Sequence, residues 1–312
     1  MTTANADANA AAAPGRGRIA IGLLAVYLIW GSTYLGIRFG LLGFPPFLMA
    51  GLRFLCAGAL VYAWLRLRGA PAPSPAQWRN AAIMGLLLLG MGNGLVSVAQ
   101  QWVSSGLAAI AVASMPLWAA LFGLMFGRRY RAIEWIGVTV GVLGVLLLNA
   151  GGELRAQPLG ALALVLAPAA WAFGSVWSRG RDLPPAFMST AAQMLCGGLL
   201  MLVFSLAIGE RLQPAPPTAA LAALAYLVVF GSIIGFGAYI WLLNNVRPAL
   251  ATSYAYVNPP IAVLLGALLA GEQVAATTVL AMAVILAGVV LITRGSSTPP
   301  PGTARPVTRA PA

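Results

Sequence analysis

Apolar residues dominate the chain from Ile19 to Ile292 in blocks of about twenty. Short breaks divide them, such as Gly43-Phe44-Pro45-Pro46, Gly69 to Pro75, Gly151-Gly152, Pro184-Pro185 and Pro214 to Pro217. A helix of that length, rising 1.5 Å per residue, spans the ~30 Å hydrocarbon core of a bilayer. The pattern predicts helices over 19–39, 46–67, 79–99, 105–126, 132–149, 158–178, 185–207, 218–243, 248–269 and 274–292. It describes an all-α polytopic membrane protein with ten transmembrane helices. The first block is too long for the apolar region of a cleaved signal peptide and reads as a retained helix.

The blocks repeat. Setting Phe47 to Leu60 on Phe187 to Leu200 gives five identities in fourteen ungapped positions, Cys56 with Cys196 among them. Setting Ser105 to Gly123 on Pro248 to Gly266 matches Leu107 with Leu250, Ala108 with Ala251, Pro116 with Pro259 and Gly123 with Gly266. Gly31-Ser32 and Gly174-Ser175 echo each other, each close behind a tryptophan, Trp30 or Trp171. The offset stays between 140 and 143, so two units are expected, 19–149 and 158–292. Each holds five spans, an odd number, so the second enters the membrane inverted relative to the first. Inverted repeats of this kind recur in secondary transporters, where related halves expose one site to either side.

Charge refines the topology and excludes chemistry. Only 8% of the 312 residues are charged against 60% apolar, and the mean hydropathy is +0.89, far from a soluble globular composition. A net charge of +12 would suggest a nucleic-acid partner in a soluble protein. Here fourteen of the eighteen arginines fall in alternate inter-helix segments and the tails, from Arg16, Arg18, Arg66 and Arg68 through to Arg294, Arg305 and Arg309. By the positive-inside rule that asymmetry puts both termini in the cytoplasm. Residues 1–18 and 293–312 read as disordered cytoplasmic tails. The chain has no histidine and only six acids, which rules out Ser-His proteases, HExxH zinc sites, bis-His haem and an intramembrane aspartyl dyad. Cys56 and Cys196 lie in apolar blocks as small hydrophobes. No cofactor or metal is implied.

Polar side chains at membrane depth face a cavity or another helix, which makes them the site candidates. Asn93 and Gln100 belong to the third helix, Asn258 to the ninth beside Pro259-Pro260, which should break or kink it. Pro116 is the repeat mate of Pro259, and Pro168 interrupts the sixth helix. Tyr254 and Asn258, at i and i+4, share a helix face, whereas Tyr256 points away. Trp30 and Trp171 suit stacking on an aromatic or cationic ligand. Arg53 lies about seven residues into the second helix, where it either snorkels to the interface or meets a substrate carboxylate. Glu134 and Glu272 sit at helix edges, where an acid is normally solvated; Glu272 is the acid that could couple a proton. Four glycines between Gly85 and Gly94 suggest local flexing near Asn93, and Gly137 with Gly141 forms a close-packing step.

The segments Leu28 to Arg38 (LIWGSTYLGIR), Gly90 to Val96 (GMGNGLV), Trp171 to Ser175 (WAFGS), Gly231 to Ile234 (GSII) and Pro248 to Pro259 (PALATSYAYVNP) carry a resemblance. From Ile19 to Ile292 the chain is similar to the EamA branch of the drug/metabolite transporter superfamily, as found in bacterial inner membranes. The resemblance implies two such repeats and export of small metabolites or drugs. Gly271-Glu272 matches a Gly-Glu step of those repeats; the first repeat departs from it with Gly127-Arg128-Arg129.

Together these readings describe a bacterial inner-membrane secondary transporter, not an enzyme. It would export amino acids, related metabolites or drugs by gradient-driven alternating access, as a monomer or homodimer with small molecules and lipid as its partners. A passive pore, or a proton-coupled antiporter using Glu272, is the alternative. Candidate substrate-binding residues are Trp30, Arg53, Asn93, Gln100, Trp171, Tyr254 and Asn258.

Overall fold

The computed structural model describes residues 16–150 and 157–296. Both expected tails, apart from their helical edges, and the Gly151-Gly152 break lie outside them. Nine helices among the described residues are long and apolar enough to cross a membrane. They are α1 (Arg16–Gly40), α2 (Pro46–Leu67), α3 (Pro75–Ala99), α4 (Ser105–Met125), α5 (Ala132–Ala150), α6 (Pro158–Trp177), α7 (Ala186–Ala207), α8 (Thr218–Asn245) and α10 (Ala276–Ser296). The expected ninth span is shorter than its block, because a single turn, Pro248–Ala251, precedes α9 (Tyr254–Ala270). The first and last helices reach further than expected, so Arg16 to Arg18 and Thr293 to Ser296 are helical rather than tail.

Local chemistry sets these boundaries. Ser74 caps α3, accepting from Gln77 N while the Gln77 side chain accepts from Ser74 N. Prolines open α2, α3 and α6, where their missing N–H costs nothing. Gly271 ends α9 at φ +63°, and Gly127 follows α4 at φ +76°, a backbone that other L-residues rarely adopt.

The interior prolines do not break their helices. Pro168 does not interrupt α6, nor do Pro259 and Pro260 interrupt α9. The ninth segment gives way instead at Thr252-Ser253, and α4 at Ala113-Ser114, just ahead of Pro116. Lacking N–H groups, Pro259 and Pro260 leave the carbonyls of Ala255 and Tyr256 without their usual donors. The glycine-rich stretch of α3 forms a π-helical run over Gly85–Asn93, matched in α8 over Leu227–Ile234.

Close backbone approach organises the packing, since apolar helices in lipid associate by contact rather than by the hydrophobic effect. Helix α5 lies along α10, and α2 along α7. A Cβ at Gly288 would come within 2.6 Å of Gly141 N, and one at Gly137 within 2.7 Å of Gly288 O, so these two helices touch main chain to main chain. Gly198 against Leu55 N, at 2.6 Å, does the same for α7 and α2. Phe54, Met194 and Met201 fill the space beside that pair. Helix α1 packs between α8 and α9, while α6 packs between α3 and α4, and α4 meets α9. Cys56 is exposed on α2 rather than buried, and both thiols are free.

Overpacking the α5–α10 seam should therefore be costly. Gly288→Val is expected to cost about 1–3 kcal/mol, read as a lower melting temperature of the detergent-purified protein. The exposed Leu268→Ala change should leave it unmoved; an unshifted melting point for Gly288→Val would contradict the seam.

Candidate functional site

Half-way along the helices the two groups α1/α8/α9 and α3/α4/α6 face each other across a half-enclosed cavity of about 100 Å³. Six of the sequence candidates stand in its wall: Trp30, Arg53, Asn93, Trp171, Tyr254 and Asn258. The π-helical run of α3 ends on Asn93, and Gly92 beside it admits Trp171, whose Cε3 lies 2.8 Å from where a Cβ would be. The same arrangement holds for the other tryptophan. Trp30 of α1 lies against Gly235, directly after the π-helical run of α8, where a Cβ would meet Trp30 Nε1 at 2.5 Å. Trp30 Nε1 donates to Gly231 O at 3.2 Å.

Trp30 is also the centre of an aromatic cluster. Its ring centroid lies 4.8 Å from Tyr254, 5.1 Å from Phe236 and 5.1 Å from Tyr239, edge-on or tilted. Phe236 belongs to the cavity wall and Tyr239 backs Tyr254. Asn258, buried one turn beyond Tyr254, donates from its amide, in the orientation that satisfies it, to Tyr254 O at 3.2 Å and Tyr27 O at 3.3 Å. Tyr27 Oη and Ser253 Oγ share a hydrogen bond of 2.5 Å across the same α1–α9 contact. Tyr256 points away, as expected, and donates to Thr293 Oγ1 at 2.6 Å.

Arg53 does not snorkel. It is 4% exposed, with Nε donating to Ser232 Oγ of α8 at 2.9 Å and its Cζ 4.6 Å from the Phe54 ring centroid. Gln100 is a correction in the other direction. It is buried at the end of α3, outside the cavity wall, and neither amide atom has a partner among the described residues.

Glu272 and Glu134 overturn the expectation of solvated acids, because tertiary contacts cover both. The Glu272 side chain is 4% exposed and ion-paired to Arg38 at 3.0 Å. Its oxygens accept from Ser105 N at 2.8 Å, Ser105 Oγ at 3.0 Å and Gly106 N at 3.2 Å, the unsatisfied N-terminus of α4. It lies outside the cavity wall, at the end of the bundle poorer in arginine. Glu210 at the same end accepts from Phe47 N and Leu48 N of α2. Glu134, at the arginine-rich end, accepts from Arg131 N at 2.8 Å and lies 3.8 Å from Arg128.

Apolar helices long enough to cross a bilayer, joined at one end by an ion pair on a buried carboxylate around a half-enclosed cavity with aromatic side chains in its wall, define a membrane transporter. The model of the EamA-like transporter family matches residues 17–150 and 158–294, and the chain belongs to that family. It is a transporter, not an enzyme. Over 274 residues it is 47% identical to the "Uncharacterized inner membrane transporter YedA" of Escherichia coli (strain K12), covering 88% of this chain and 90% of that protein. The "Uncharacterized transporter YoaV" of Bacillus subtilis (strain 168) is 24% identical over 285 residues, covering 88% and 97%. A solved crystal structure shares the fold at a TM-score of 0.63 and 23% identity, covering 90% of this chain and 99% of that one.

Removing the Glu272 carboxylate strands two backbone donors and a guanidinium. Glu272→Ala should cost about 1–3 kcal/mol, measured by thermal unfolding of the purified protein, with Glu272→Gln recovering part of it. A melting curve identical to that of the parent for Glu272→Ala would show that the knot contributes nothing.

Proposed function

We propose that the protein is a secondary transporter of the bacterial inner membrane that exports small organic solutes by alternating access. Ten helices would act as two inverted five-helix repeats, both termini in the cytoplasm, with the substrate held in the central cavity by Trp30, Arg53, Asn93, Trp171, Tyr254 and Asn258. The observation that carries this reading is the reciprocal seating of the two tryptophans. Trp30 of the first half lies on Gly235 of the second, and Trp171 of the second lies on Gly92 of the first, each glycine at the end of a π-helical run. Pairings related by the repeat recur elsewhere: α1 packs on α8 and α9 as α6 packs on α3 and α4, while α2 meets α7 and α5 meets α10. A pseudo-two-fold axis through the cavity accounts for all of these contacts, and such an axis lets one site be presented to either side.

In this reading the described state is closed at its arginine-poor, outer end by Glu272 binding Arg38 and the start of α4. Opening outward parts α9 from α4 and releases those bonds. The wall of the cavity carries Arg53 but no acid, so transport down the solute's own gradient needs no titrating carboxylate there. A second reading, proton-coupled exchange, is favoured by one observation: Glu272 is the carboxylate on which that outer closure turns.

Proteoliposome efflux tests both. With insertion checked, Trp171→Ala and Trp30→Ala are expected to reduce saturable efflux of a transported solute about tenfold or more, the loss of one aromatic contact and its packing. Efflux that ignores an imposed pH gradient supports the gradient-driven reading. Efflux that requires the gradient, and loses that requirement in Glu272→Gln, supports coupling. Undiminished efflux in both tryptophan variants would refute the cavity as the site.

A further inference from the structure

We infer that the solute is an organic monoanion, its acidic group seated on the Arg53 guanidinium and its apolar body lying against Trp30 and Trp171. This rests on reading the central cavity as the transport site and adds the chemical class that the cavity accepts.

Arg53 is the reason. A guanidinium stays charged at any accessible pH and presents five donors in a planar fork. Among the described residues Arg53 uses one of them, Nε to Ser232 Oγ. The Phe54 ring offers a single aromatic face, which compensates a buried cation only in part. The described acids are all engaged elsewhere. Glu272 is held by Arg38 and the start of α4, Glu210 by the start of α2, Glu134 by Arg131 N, and Asp182 by the Gln77 amide. At 4% exposure Arg53 is also covered largely by protein rather than by headgroups or solvent. A buried cation without a protein counter-charge gains from an anion that enters beside it.

The geometry indicates where that something sits. Nε is turned to α8, and Gly231 lets the guanidinium lie flat there: a Cβ at that position would come within 3.0 Å of a terminal nitrogen. Arg53 forms part of the cavity wall that Trp30 and Trp171 also line, so an anion held in that space lies beside its guanidinium. A carboxylate matches that fork with two parallel hydrogen bonds. A second negative charge would find no second cation in the wall, which limits the ligand to one. An ammonium solute meets aromatic faces that attract it, together with a positive charge that does not; no acid of the wall offsets that charge.

Three probes of one shape separate charge from fit: 3-phenylpropionate, 3-phenylpropionamide and 3-phenylpropylammonium, titrated calorimetrically into the purified protein in nanodiscs. The acid is expected to bind saturably and about tenfold or more tighter than the amide, the difference one charge-assisted pair makes, with the amine weakest. Arg53→Gln should bring the acid down to the affinity of the amide and leave the amide near its parent value. Arg53→Lys should retain part of the preference. Amide or amine binding as tightly as the acid overturns the inference, as does an acid preference that survives Arg53→Gln or an absence of saturable binding by all three. Ala113→Trp, which fills the cavity, separates the two failures. Binding that Ala113→Trp abolishes but that ignores charge overturns the monoanion alone. Binding that survives Ala113→Trp overturns the cavity as the site.

Discussion

A lipid bilayer offers no water to satisfy stray polar groups, and at one end of this bundle a single carboxylate does that work for three helices. Glu272 follows the left-handed Gly271 that ends α9, and from there its oxygens reach the first two amides of α4 and the guanidinium at the end of α1. The helix dipole of α4 and the charge of Arg38 both favour an anion at that point. Both of the groups facing the cavity meet there, so the closure of that end and the shape of the space beneath it depend on the same contact. The cost of burying the acid is offset by the donors it gathers, which explains why it sits under protein rather than in water.

Below that knot, glycine rather than bulk shapes the cavity. Gly92 and Gly235 each leave room for an indole ring, at the end of or just after a π-helical run, and the Gly231 carbonyl accepts from Trp30. The result is a site with aromatic side chains in its wall, whose one full charge is Arg53. Wide helical turns at two related positions place functional groups without breaking either helix, and so keep the surrounding main chain hydrogen-bonded in a setting where open loops are not tolerated.

Much of this was legible in the sequence, for a physical reason. Lipid demands long apolar blocks, so α1 to α8 and α10 fall where the blocks fall. A polar or aromatic residue in such a block has few places to go, which is why Trp30, Arg53, Asn93, Trp171, Tyr254 and Asn258 all reach one wall. Gln100 carried the same signal, yet it sits at the end of α3, where depth alone does not separate a wall position from a buried flank. The burial of Glu134 and Glu272 was hidden, since what covers Glu272 comes from residues far away in sequence, Arg38 and Ser105. Helix continuity through Pro168 and Pro259-Pro260 was hidden too: packed neighbours hold a helix through a missing bond, while Thr252-Ser253, with no strong breaker, gives way. Phe236 and Tyr239 carried no mark to distinguish them from other aromatics in an apolar block.

The central claim is that the two groups part at the Glu272 end to present the cavity to the other side. Electron–electron spin-resonance distances between labels at the exposed Gln101, ahead of α4, and Gln273, after α9, measure that parting directly in nanodiscs. The account predicts two populations, a short one matching the closed bundle and a longer one that grows in Glu272→Gln, where the latch is weakened. A single short distance, unchanged in Glu272→Gln and in the presence of any transported solute, would contradict it.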